Sequence, residues 1–366
     1  MDADRTSVRL RRGTVRTVRE ARPGAVELDV EVDGRSAPAL AYPRLTGPVR
    51  PGDVVVLNTT ASSLGLGTGG VDLVMAVEGA APTDLGHEGR VMKARYTPSQ
   101  GAVRSVEETH RDALEASPGL RGVPVVCAPL HSMVAPIAAG AKASAGARVV
   151  YVMTDGAALA GPFSALVPRL RSAGLLDGFV TCGQAFGGEL EAVTVWTALL
   201  AAVEVSGAEV VVVADGPGNL GTDTTWGVSA LGSGHALDAA DTLGGRPVAA
   251  LRISTADPRE RHRGVSHHSL TILERVCSVR ANVAVPVLED PALRDAVWDA
   301  LRARKLEERH QLVEVDGRPG IRRLAELGVA IESMGRSPAD DPVFFLAASA
   351  AGVLAGRMAA ASRHYR

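Results

Sequence analysis

The sequence predicts an α/β protein: a three-layer, mainly parallel, Rossmann-like sheet with a small β-barrel or sandwich at its N-terminus. Three observations predict it. Residues 1–80 read as short strands broken by turn residues. From residue 93, apolar runs of strand length alternate with stretches of helix length. Those later runs are apolar on both faces, as strands covered by helices on both sides must be.

In the first module, Val26–Val32 alternates apolar and polar residues, the mark of a strand with one buried face. Asp33-Gly34 is a hairpin turn, and Pro51-Gly52-Asp53 turns the chain into the strand Val54–Leu57. Val71–Val77 supplies another strand, and Gly65–Gly70 reads as a hairpin loop. Residues 81–92, with Pro82, Gly86 and Gly89, read as a linker to an α/β domain over 93–366.

That domain has strand-like runs at Pro124–Leu130, Arg148–Met153, Gly178–Thr181, Glu209–Ala214, Pro247–Ile253, Asn282–Leu288 and His310–Val315. Helices are expected at Met133–Ser144, Phe163–Ala173, Leu190–Val205, Val228–Leu243 and Arg322–Met334. The last element, Val343–Ser362, is apolar except for Arg357 and long enough to span a bilayer. It is rich in Ala rather than Leu, and Ala348, Gly352 and Gly356 recur at every fourth position. That stripe predicts a closely packed core or dimer helix rather than a membrane anchor, and makes a homo-oligomer one expectation. Asp341-Pro342 is a natural start for it.

Composition narrows the function. Charged residues make up 22% of the 366 and the formal net charge is -2, so no basic field recruits nucleic acid or an anionic membrane. Aromatic residues are 3%, too few for a platform that stacks nucleic-acid bases. Cys127, Cys182 and Cys277 are widely spaced and lack a C-x-x-C pattern. Neither a disulfide framework nor a structural zinc site is expected, and a reducing cytoplasm is the expected setting. Met1–Gly13 is charged, with no apolar core of a signal peptide.

In an open α/β sheet, ligands bind beyond the carboxyl ends of the strands, where loop amides and helix N-termini converge. Five successive runs here end in glycines and compact polar residues. These are His131-Ser132, Thr154-Asp155-Gly156, Gly183–Glu191, Asp215–Thr222 and the segment Asp257–Leu270. The opposite ends carry ordinary turns such as Arg121-Gly122 and Ala145-Gly146. The asymmetry predicts one ligand site at one edge of the sheet.

Asp155, Asp215 and one of His267 or His268 are the candidates for acid–base or metal chemistry. Glu189 and Glu191 suit helix capping as well as function. Neighbouring residues of a helix lie about 100° apart, so His267 and His268 do not form a helical zinc pair. One of them with Asp155, Asp215 or His131 could instead hold a divalent metal. Arg259, Arg261 and Arg263 alternate and share a face in an extended loop, so Arg259 and Arg263 are read as an anion clamp, with Lys93 and Arg95 as further cations. Gly216, Gly218, Asn219 and Gly221 form a glycine-rich turn whose amides could face the anion, with Gln184 and His131 as polar neighbours. The turn matches G-x-G-x-x-G, yet Thr222–Trp226 delays the helix and no acid ends the next strand, so a dinucleotide is not expected.

Several segments together resemble a bacterial family described as domain of unknown function 3866. They are Gly86-His87, Met92–Gln100, Leu130–Ser132, Met153–Gly156, Gly183–Gly188, Gly216–Thr222 and Arg261–Ser269. The resemblance spans nearly the whole chain and implies that the strand-end motifs belong together; it implies no activity. The residues themselves point to an enzyme, a hydrolase or transferase, acting on a small anionic metabolite. The other expectation is a non-catalytic sensor or assembly protein that interacts through its β module.

Overall fold

The computed structural model describes residues 7–66, 70–82, 84, 86 and 88–363. Residues 67–69 of the expected Gly65–Gly70 loop, residues 83, 85 and 87 of the expected linker, and with them His87 of the family motif, lie outside the described residues. The chain forms two compact units, Met1–Val103 and Arg104–Arg366.

The first unit is a closed five-stranded barrel of β1 (Leu10–Arg22), β2 (Ala25–Val32), β3 (Arg35–Ala41), β4 (Val54–Asn58) and β5 (Asp72–Val77), in the order β1-β2-β3-β5-β4. Of barrel and sandwich, the barrel is what forms. β1 pairs with both β2 and β4, which closes the ring. Asp33 and Gly34 have φ of 48° and 72°, the left-handed pair that a tight hairpin between right-twisted strands requires. Val15, Leu28, Val30, Val55 and Leu57 fill the interior. A separate hairpin, β6 (Val91–Lys93) with β7 (Gly101–Val103), completes this unit. Lys93 and Arg95 therefore belong to the first unit.

In the second unit, eight parallel strands make one sheet. They are β8 (Pro124–Cys127), β9 (Val149–Thr154), β10 (Gly178–Thr181), β11 (Leu190–Glu191), β12 (Val210–Asp215), β13 (Arg246–Ala250), β16 (Asn282–Pro286) and β17 (Gln311–Val315). A short antiparallel ladder of β14 (Ile253–Ser254) and β15 (Gly264–Val265) stands apart from it. The sheet order is β11-β10-β9-β12-β8-β13-β16-β17.

Alternate residues of each central strand enter opposite core layers, as the period of two demands. Val211 and Val213 pack with the helices Val195–Glu204 and Gly232–Thr242. Val210 and Val212 pack with the helices Val134–Ala145 and Pro342–Arg363. The helices following β9 and β12 lie on opposite faces, so the chain leaves these two neighbouring strands in opposite directions and opens a crevice between them.

Pro342–Arg363 is, among the described residues, the helix long and apolar enough to cross a membrane, and 72% of its apolar window is buried inside the protein. Its glycine stripe explains the burial. A Cβ added at Gly352 would run into the backbone of Ile137, and one at Gly356 would lie 2.8 Å from the Ala141 carbonyl oxygen. The two helices touch backbone to backbone, and only glycine permits that approach.

Some elements depart from expectation. The helix expected at Leu190–Val205 begins at Val195, because Leu190–Glu191 is drawn into the sheet beside β10. The helix expected at Arg322–Met334 runs Arg318–Glu326, started by Pro319 in its first turn. An amphipathic helix at Pro291–Ala303, capped by Asp290, was not singled out from sequence.

Candidate functional site

The carboxyl ends of β9, β10 and β12 surround a cleft of about 480 Å³. Thr154, Asp155 and Gly156 line it from β9, Gly183 from β10, and Asp215 from the last residue of β12. Ser229 and His235, from the segment after β12, complete the wall with Thr194 and Trp196. Thr194 caps the helix Val195–Glu204, and His235 stands in the first turn of Gly232–Thr242, so two helix N-termini open onto the cleft.

Asp215 is the best-held group. Its Oδ1 accepts hydrogen bonds from Thr154 Oγ1 (2.6 Å) and the Gly156 amide (3.0 Å), and its Oδ2 accepts from Asn219 Nδ2 (2.8 Å). Burial pushes its pKa above the usual carboxylate range, opposed by these three donors and assisted by the charge of Asp155. All the donors are neutral, and together they offset only part of the desolvation of the negative charge. Asp155 is exposed and accepts the Gln184 amide at 2.7 Å. The fit is tight. A Cβ at Gly156 would meet the Asp215 carboxylate at 2.6 Å, and one at Gly183, whose φ is 66°, would overlap the Asp155 carboxylate.

Asn219, read as an anion contact, ties the glycine turn down by bonding both Asp215 and Ser229 Oγ (3.1 Å). Gly218 has a φ of 94°, and a Cβ at Gly216 would lie 2.6 Å from the Ala158 carbonyl oxygen. Gly221 abuts His268. Glu191 is buried and accepts from Thr181 Oγ1 and the Gly187 amide, while Glu189 pairs with Arg171. His131 lies in the other core layer, its ring nitrogens 3.1 Å from Tyr151 Oη and 2.8 Å from Ser164 Oγ. Burial lowers its pKa to about 4, so it is a neutral, fully partnered core histidine.

The arginine clamp is turned inward. Arg259 grips Asp257 through Nε (2.9 Å) and a terminal nitrogen (2.9 Å), and Arg263 Nε donates to the Asp257 carbonyl at 3.2 Å. Asp257 is fully buried and also meets Arg252 at 2.8 Å and Arg336 at 3.6 Å. Burial alone would raise its pKa, but hydrogen bonds from Arg259 and the charges of Arg259 and Arg252 take it well below the usual range. Sequence spacing did not reveal Arg252, just before this segment, or Arg336 and Asp341, which reach the region from far along the chain; Asp341 accepts from Ser254 Oγ at 2.5 Å.

Beside that network, His262, His267 and His268 face one another, with ring centroids 4.0–5.3 Å apart. His262 was not among the expected site residues, although it completes the histidine count of the same loop. Burial and the neighbouring arginines lower the pKa of His262 to about 3, and burial and the neighbouring His267 lower that of His268 to about 4; that of His267 is lowered as well, chiefly by burial. The segment after β12 joins the two regions: Asn219 holds Asp215, Gly221 lies against His268, and Asp223 pairs with Arg261 at 2.6 Å.

Trp196 and His235 were missed, since each sits on a helix rather than in a strand-end motif. The sequence signal for both was position in a first helical turn after a polar loop.

The family described as Protein of unknown function (DUF3866) matches residues 38–352. The chain belongs to this family. The match runs from β3 of the barrel through the cleft and the histidine cluster into the helix Pro342–Arg363, so every residue of both polar regions falls within the family's span. No curated protein matches the chain significantly.

Proposed function

We propose that this protein is an enzyme that works on a small polar metabolite in the cleft at the ends of β9, β10 and β12, with Asp215 as its general acid–base. One observation carries the reading. Asp215 is a buried carboxylate of raised pKa, three of whose roughly four acceptor positions are fixed by Thr154, Gly156 and Asn219. The carboxylate lines a cleft of metabolite size. A carboxyl group tuned upward gives and takes protons nearer neutral pH than an ordinary one.

The cleft's side walls favour an anionic ligand group, because the N-termini of Val195–Glu204 and Gly232–Thr242 present helix dipoles to it. Among the described residues no arginine lines the cleft, so backbone amides would take the part that the clamp was expected to play. Exposed Asp155 and half-buried Asp238 supply further carboxylates to the cleft, and exposed His235 an imidazole. Proton transfer at a polar bond suits a hydrolase or transferase.

Native mass spectrometry of the purified chain, followed by turnover assays on the class of metabolite retained, tests this. Asp215→Asn is expected to keep binding and lose turnover by roughly 10²–10⁴-fold, the usual worth of a positioned acid or base. Intact binding with no turnover in wild type or variant would instead make the cleft a sensor site.

A further inference from the structure

We propose that His262, His267 and His268 form a binding site for a divalent transition metal of the zinc class, with an open fourth position. One ligand nitrogen from each ring lies within 4.8 Å of one from each of the other two. Nε2 of His267 and Nε2 of His268 are both buried without a hydrogen-bond partner. Two orphaned imidazole nitrogens side by side are costly unless something serves both. A cation that accepts lone pairs does so; a single apolar neighbour cannot.

The local chain builds this arrangement. Glu260–His262 forms a 3₁₀ turn, and the β14/β15 ladder folds the segment back. Ser266 then caps the short helix that begins at His267, so His262 returns against the first helical turn. Ser266 Oγ lies 2.8 Å from His262 Nδ1 and also accepts the His268 amide at 3.3 Å. With two lone pairs, that oxygen can accept from Nδ1–H as well, which leaves Nε2 of His262 unprotonated for a metal. A partner on the far ring nitrogen is the usual support of a ligating histidine.

Three neutral imidazoles suit zinc and its neighbours, and three protein ligands leave a position for water or a ligand anion. The surrounding charges fit that last occupant. Arg252 and Arg259 are held by Asp257, while Arg261 pairs with Asp223 and keeps its Nε without a partner. Zinc–nitrogen bonds of about 2.0–2.1 Å require the rings to draw in slightly on loading, within the reach of side-chain rotation.

The test is cobalt and zinc titration of the full, tag-free chain after chelator treatment, and it does not depend on the role of Asp215. One ion per chain is expected, with the strong visible bands of four-coordinate cobalt and a raised unfolding temperature. His267→Ala and His268→Ala should each abolish stoichiometric binding, while His110→Gln, at a helix boundary outside the cluster, should bind as wild type does. Ser266→Ala should weaken binding by roughly 10–100-fold. X-ray absorption of the zinc-loaded wild type, which needs no variant to fold, should show imidazole scattering. A wild type that binds no stoichiometric ion, binding that survives both histidine variants, or a zinc spectrum without imidazole would each overturn the site.

Discussion

Asp215 and Asp257 are both buried aspartates at the same edge of the sheet, and their surroundings drive them in opposite directions. Asp215 is held by a hydroxyl, a backbone amide and a carboxamide, and its pKa rises. Asp257 is held by Arg252, Arg259 and Arg336, and its pKa falls. Burial is common to both, so it is the charge of the partners that separates a raised proton affinity from a lowered one. An arginine-rich loop beside a strand end therefore need not be a ligand clamp. Here it is a cross-linked anchor that fixes the histidine cluster and, through Asp341, the start of the C-terminal helix.

The largest expected effect comes from removing the anchor. Asp257→Ala leaves buried guanidinium groups without their counter-charge and should cost about 3–5 kcal/mol in denaturant unfolding. Asp215→Asn keeps the shape and loses no charge partner, so its stability change should stay within about 1 kcal/mol. Equal losses in the two variants would erase the distinction drawn between the sites.

Next in size are the glycines that fit around the carboxylates. Gly183→Ala places a methyl group on Asp155 in a left-handed backbone, and Gly156→Ala places one on Asp215. Each should destabilise by about 1–3 kcal/mol and reduce turnover, as read by thermal unfolding and assay. A Gly156→Ala variant with full activity would argue that Asp215 needs no fixed position.

The smallest effect is in pH dependence, and here the two aspartates have opposite signs. Asp257 binds fewer protons folded than unfolded, so its contribution is present above about pH 4 and fades as the pH drops below that. Asp215 binds more protons folded, so stability declines as the pH rises from about 4 through its raised pKa. Unfolding free energies measured across pH, subtracted from those of Asp215→Asn and Asp257→Asn, should show slopes of opposite sign. His131 and His268 titrate in the same acid range but cancel in the subtraction, whereas His262 feels the Asp257 charge and shifts with it in the Asp257 variant. Slopes of the same sign would refute the contrast.

Much of this was legible in the residues. The apolar runs that became β8, β9, β10, β12, β13 and β16 need helices on both faces, and the polar groups following three of them do line one cleft. Asp155 and Asp215 were found because each directly follows such a run. His131 followed one too, yet its ring turned into the core, since sequence does not say which face a loop residue will choose. The arginine pairing was not legible, because Arg252 and Arg336 are 84 residues apart and only the fold brings them to one carboxylate.

The sequence by itself determined a small β module, the parallel layers, a closely packed Ala-rich helix and the edge of the sheet where compact polar residues gather. These follow from local periodicity, turn chemistry and small-residue spacing, which act over a few residues. Only the tertiary structure decided which polar residues work together. His262 meets His267 and His268 through a fold-back that helical spacing does not describe, and Asp257 draws Arg336 from a distant turn to join Arg252 and Arg259 of its own segment. Such convergence depends on the path of the whole chain, and so does the environment that sets each proton affinity.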